Sequence, residues 1–151
     1  MTSGSLDIRV AGEDDIPAIL ALYAAAGFVG AGPLDEAAAR EKLLRIASYP
    51  DYRIFVLEAD GGVAGTYALL IMDNIAHGGA PLSIVEQVAV APGRQGQGLG
   101  TAMMDHAMAE SRARGCYKLQ LSSNVKFTAA HAFYDKLGFT RHGYSFFVDL
   151  G

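Results

Sequence analysis

An almost unbroken apolar run, "SIVEQVAV" over residues 83–90, gives way to "APGRQGQG" and then to helical spacing from Leu99. The apolar run predicts a strand at the centre of a sheet, covered on both faces. Four glycines between Gly93 and Gly100 carry a heavy entropic cost. The backbone there must turn through positive φ or be approached closely by something else. Strand, glycine loop and helix in this order fix a β–α unit around which the rest of the chain has to fold.

The other segments are read against that unit. Leu6–Val10 predicts a first strand, and Glu13–Ala26 a helix with Ile16, Ile19, Leu20 and Tyr23 at helical spacing and Gly27 as its stop. Leu34–Ser48 predicts a second helix, ended by Pro50. In "YRIFVLEADGGVAGTYALLIM", two strands flank Asp60-Gly61-Gly62, a hairpin turn tolerant of positive φ. A helix is expected over Leu99–Arg114 with Gly115 as its cap, a strand in "YKLQLS", and a helix over Thr128–Leu137 capped by Gly138. "FTRHGYSFFVDL" is expected to close the sheet with one or two strands. The order βααβββαβαβ(β) is that of an α/β (α+β) fold, a mixed sheet with helices on both faces.

With 151 residues, 51% apolar and 19% charged, the chain predicts one globular domain over residues 6–151 behind a loose N-terminal end at residues 1–5. A net charge of −4 supplies no field for nucleic acid or anionic membrane, so an anionic ligand must be held locally. The single cysteine, Cys116, leaves no internal disulfide. Together with the lack of a signal-length or membrane-length apolar run it predicts a cytoplasmic protein.

At a helix N-terminus the first N–H groups lack intrahelical partners and the dipole is positive. Gly96, Gly98 and Gly100 would let those amides approach a diphosphate, with Arg94 adding a charge-assisted bond. Neither nucleotide signature fits. The loop has no lysine for GxxxxGK[ST], and its spacing is GxGxG, with Lys118 near the offset where a dinucleotide fold needs an acid.

These residues resemble a known family. "VAVAPGRQGQGLG" resembles motif A of the GNAT superfamily of N-acetyltransferases, [Q/R]xxGx[G/A], with Gln95, Gly98 and Gly100 in its core. "AAHAFYDKLGF" resembles the family's second motif, a helix ending in FYxxxGF. The resemblance implies a mostly antiparallel, twisted sheet. It also implies acetyl-CoA as acetyl donor, its pyrophosphate on the amides of Gln95, Gly96, Gln97, Gly98, Leu99, Gly100 and Thr101. Val88, Ala89 and Val90 would then offer their backbone to pantetheine, beside a bulge that splays this strand from the next. Asn124, Ala130 and Phe133 join the implied cofactor contacts. Many relatives place asparagine where this chain has Phe127, and Asn124, one turn earlier, is the substitute.

The implied reaction is direct attack of a primary amine on the thioester. Glu86, an ionisable group in an apolar strand, is the candidate base, its pKa expected to rise by burial. Tyr134, at the edge of the stripe Ala130, Phe133 and Leu137, is the candidate acid. His77 and His131 are reserve bases, and no ligand spacing among His and Cys predicts a metal. Cys116 is expected to be a small buried residue.

The acceptor is expected to be a small-molecule amine: a simple amine, an amino sugar, or an aminophosphonate-like compound, given some resemblance to aminoalkylphosphonate acetyltransferases. The first two helices, "GFVGAGPLDE" and "MDNIAHGGAP" would shape its site, with Lys126 and Arg141 available for an acidic group. Two alternatives stand beside it: a protein or peptide amine as acceptor, and a non-catalytic acyl-CoA sensor. "YSFFVDL" is a candidate homodimer interface.

Overall fold

A computed structural model describes residues 4–151. Residues 1–3 of the expected loose end lie outside the described residues. Two compact units divide the chain, Met1–Gln120 and Leu121–Gly151.

The first unit holds a five-stranded sheet in the order β1-β2-β3-β4-β5. Its strands are β1 (Leu6–Val10), β2 (Tyr52–Ala59), β3 (Gly62–Met72), β4 (Leu82–Val90) and β5 (Lys118–Gln120). Every neighbouring pair is antiparallel except β4 and β5. The helices are α1 (Ile16–Ala26), α2 (Glu36–Ala47) and α3 (Leu99–Ala113).

Local chemistry sets most of the boundaries. Asp60 and Gly61, at φ 53 and 80, form the two-residue turn between the paired residues Ala59 and Gly62, both positive as a type I′ hairpin requires. The expected helix from Glu13 begins instead as a single 3-10 turn, Glu13–Asp15, before α1. Asp15 is held by other partners: it accepts from the Gly12 N–H at 2.7 Å and from both terminal nitrogens of Arg9 at 2.7 and 2.9 Å. α1 stops at Gly27, φ 80. α2 starts two residues later than expected because Asp35 caps it, accepting from Ala38 N–H at 2.9 Å.

The two faces of the sheet take different helices. Ile54 packs against Ile16, Ala39 and Leu43 of α1 and α2. The next residue, Phe55, meets His106 of α3 with ring centroids 4.8 Å apart, as alternation along a strand dictates. Val56, Leu57, Tyr67, Met103, Met104 and Ala107 are fully buried. Ser83 and Ser111, also buried, satisfy each other at 2.7 Å.

The second unit holds α4 (Thr128–Lys136), ended at Gly138 with φ 91. Arg141 grips Asp135 through two bonds of 3.1 and 2.7 Å. The closing strands expected in residues 139–150 do not form. Tyr144, Phe146, Phe147 and Leu150 are each at least 90% exposed. Alternation gives a segment the propensity for a strand, but a strand exists only where a ladder partner accepts its backbone.

Candidate active site

β4 carries the site. Thr66 pairs with Ala89 and Ala68 with Glu86, so the single residue Tyr67 stands opposite both Gln87 and Val88. This is a β-bulge, and Gln87 takes φ 46 to make it. β5 pairs only with Leu82–Ile84. From Val85 to Val90 the edge of β4 turned away from β3 has no ladder within this unit. The bulge and the parting of the two strands match what the family resemblance implies. "YKLQLS" contributes three paired residues instead of six because the strands diverge at Ile84.

Beyond Val90 the chain turns at Ala91, whose carbonyl accepts from Arg94 N–H at 3.0 Å. Gly93, Gly96 and Gly98 take φ 80, 76 and 81. A side chain at any of them would be strained, yet an added Cβ would meet nothing within 4 Å. The glycines are therefore required by backbone conformation and leave open space above it. Gly98 is the N-cap of α3 and brings no side-chain cap. Among the described residues, none of the backbone N–H groups from Gln95 to Thr101 donates to a protein acceptor; the first amide of α3 to do so is Ala102, to Gly98 at 3.0 Å. Gly100 lies within α3 and does not take a positive φ. A run of unpaired donors at the positive end of a fifteen-residue helix can hold a diphosphate. Coenzyme A, the ligand implied by the family resemblance, fits this donor set, and its pantetheine fits the unpaired edge of β4.

Arg94 makes its side-chain contacts at the surface of the loop. Its Nε donates to Gln97 Oε1 at 2.9 Å, and a terminal nitrogen pairs with Asp60 at 3.1 Å. The arginine thus braces the loop against the β2–β3 hairpin, and Gln97 returns a bond to the Gly93 carbonyl at 3.4 Å.

Glu86 is exposed, not buried. The expected burial fails: alternation along β4 buries Ser83 and Val85 and leaves Glu86 on the opposite face, just ahead of the bulge at Gln87. Its carboxylate lies close enough to Tyr52 that, after burial, its charge is the next cause pushing the phenol's pKa up.

In the second unit, Tyr134 is half-buried, its ring against Phe133 and Phe139 with centroids 5.1 and 5.5 Å away. Burial pushes its pKa up, so it holds its proton at neutral pH. Ala130 and Phe133 are half-buried on the same helix, and none of α4 is fully buried. Asn124 makes the turn into α4: its Oδ1 accepts from Lys126 N–H at 3.0 Å and its carbonyl meets His131 Nε2 at 2.8 Å. Phe127, at the start of α4, is exposed. His77 stacks on Tyr117, centroids 4.1 Å apart. Cys116 is half-buried and carries a free thiol. Among the described residues, no three His, Cys, Asp or Glu side chains gather as a metal site, and no helix is long and apolar enough to cross a membrane.

Gln87 and Tyr52 were not legible as site residues. A glutamine within the apolar run was the only signal of the first, and Tyr52 becomes a neighbour of Glu86 only through the β2-β3-β4 order.

A sequence model of the Acetyltransferase (GNAT) family matches residues 16–139. The chain is 35% identical over 98 residues to a glucosamine 6-phosphate N-acetyltransferase of Trypanosoma brucei brucei, covering 65% of each chain. It is 36% identical over 99 residues to a 5-NmdU N-acetyltransferase of Pseudomonas phage PaMx11, covering 66% of this chain and 65% of the relative. The chain thus spans about two thirds of these relatives' own length. The crystal structure of a Trypanosoma brucei acetyltransferase superposes with a TM-score of 0.81 at 30% identity, over 97% of this chain and 100% of that one. Glycine-rich turn, bulged strand, sheet order and sequence agree: the chain belongs to the GNAT family of acetyltransferases.

Proposed function

We propose that the protein is an acetyl-CoA-dependent N-acetyltransferase that moves the acetyl group directly to a primary amine of a small molecule. One observation carries the reading: the unpaired amides of Gln95 to Thr101 continue directly from a strand whose outer edge is also unpaired. The first set suits a pyrophosphate and the second suits the amides of pantetheine. The names of the two relatives, both N-acetyltransferases, support an amine as the acceptor.

Bound acetyl-CoA supplies an activated thioester carbonyl. Glu86, exposed to solvent and to an arriving ammonium, takes the amine's proton directly or through water. The freed nitrogen forms the C–N bond as the C–S bond breaks, Tyr134 gives its proton to the departing sulfur, and the second proton shed by the new amide nitrogen restores the tyrosine through solvent. Val88, Ala89 and Val90 position the donor through backbone groups, and Asn124, Ala130 and Phe133 border it in this reading. Residues 6–151 act as one domain, in a reducing, cytoplasmic setting that suits the free Cys116. The exposed segment Tyr144–Leu150 pairs with a second copy of the chain.

The test is thermal unfolding with and without acetyl-CoA, followed by thiol release across a panel of amines. Ligand at about a hundredfold over its dissociation constant adds roughly 2.7 kcal/mol. Absence of any shift removes the donor reading. A shift without turnover of any small or peptide amine turns the protein into an acyl-CoA sensor.

A further inference from the structure

An apolar pocket of about 280 Å³ lies within the first unit, enclosed by α1, α2, the segment joining them, and the sheet face beneath. Its walls are aliphatic and aromatic, with Phe28, Leu43 and Ile46 among them. Three polar side chains punctuate them, Tyr23, Lys42 and Tyr52, and the fourth polar contributor is Gln87. Gln87 is also the bulge residue of β4. The pocket therefore opens on the strand read above as the holder of the acetyl donor, one residue from Glu86.

The chemistry of the lining discriminates among amines. A sugar phosphate brings an anion that wants several N–H or cationic donors, together with hydroxyls that lose water on entry. Lys42 is the one charged side chain in the lining, and the aliphatic walls leave the hydroxyls without partners. An aromatic ring or branched chain finds the opposite: walls that reward its burial and a volume at the small end of ligand pockets. Tyr23 and Phe28, edge to face at 6.0 Å, offer ring surface, and the nearby Glu86 draws the ammonium toward β4.

We propose that the acceptor is a primary amine on an aromatic or branched apolar body, with the body in this pocket and the nitrogen at Gln87 and Glu86. The preference is set by Phe28, Leu43 and Ile46. The inference rests on the donor reading of β4 and narrows its acceptor class.

Thiol release with 2-phenylethylamine and with glucosamine 6-phosphate as acceptors tests it, on the parent protein and on Ile46→Phe, with Ile46→Gln as a second variant. The acetyl-CoA thermal shift is recorded for each. The expected result is kcat/KM at least about tenfold higher for 2-phenylethylamine, with either variant raising its KM about tenfold and keeping the acetyl-CoA shift. Preference for glucosamine 6-phosphate, or a 2-phenylethylamine KM unmoved in both variants, overturns the inference and leaves the donor reading standing. So does an acetyl-CoA shift without turnover of 2-phenylethylamine. No shift and no turnover removes the donor reading and this one with it.

Discussion

Gly98 holds φ 81 at the cap of α3, and a Cβ in that conformation costs about 1–2 kcal/mol. Gly98→Val is expected to lower Tm by about 2–8 °C for a chain of this size and to abolish the stabilisation by acetyl-CoA. Parent and variant melts with ligand check both. Tyr134 is a single-atom question. Tyr134→Phe should keep the acetyl-CoA shift and lower kcat about a hundredfold. A general acid works only while protonated, and burial raises this phenol above its usual 10.0. The parent's kcat should therefore fall only as pH rises past 10, a limb absent from the phenylalanine variant.

Between elements, ion pairs and buried rings set the pH response of the fold. Asp15 ties β1, the 3-10 turn and, through Arg9, Glu58 of β2 at 2.7 Å. Hydrogen bonds from Arg9 hold the Asp15 carboxyl below its ordinary 3.8, against the opposing effect of burial. Its contribution is present above that value and is lost as pH falls through the lower folded one. Asp15→Asn should cost about 2–3 kcal/mol, less than a fully buried pair because Arg9 is partly exposed and keeps Glu58. Urea unfolding at neutral pH measures it. His106 of α3 acts earlier. Its Nδ1 lies 2.6 Å from the Tyr67 hydroxyl, and burial lowers its pKa from 6.5. The unfolded chain binds that proton first, so stability begins to fall as pH drops below about 6.5. His106→Gln should remove this shallow loss and leave the steeper acid limb of Asp15.

At the scale of the whole molecule, residues 144–150 present Tyr144, Phe146, Phe147 and Leu150 to solvent. A row of this kind invites strand pairing with another chain. Sedimentation of the full-length protein is expected to give a dimer, and Phe146→Asp a monomer with an unchanged acetyl-CoA shift. A monomeric parent removes the dimer proposal.

The sequence by itself determined whatever depends on a few adjacent residues. The Asp60-Gly61 turn, the stop of α1 at Gly27, and the glycine-rich turn ahead of α3 were all legible there, because φ preference and helix-end chemistry are local. The tertiary structure decided what depends on a neighbour far along the chain. Gln87 adopts φ 46 because two residues of β4 must span one of β3, a register set across the ladder. Glu86 is exposed because the face of β4 opposite the buried Ser83 and Val85 is left uncovered at its position. β5 stops after three residues because β4 leaves it at Ile84, and residues 139–150 remain unpaired because strand propensity cannot supply a partner. Backbone angles belong to the residue, but burial and register belong to pairs of elements, and no single stretch of sequence contains both members of a pair.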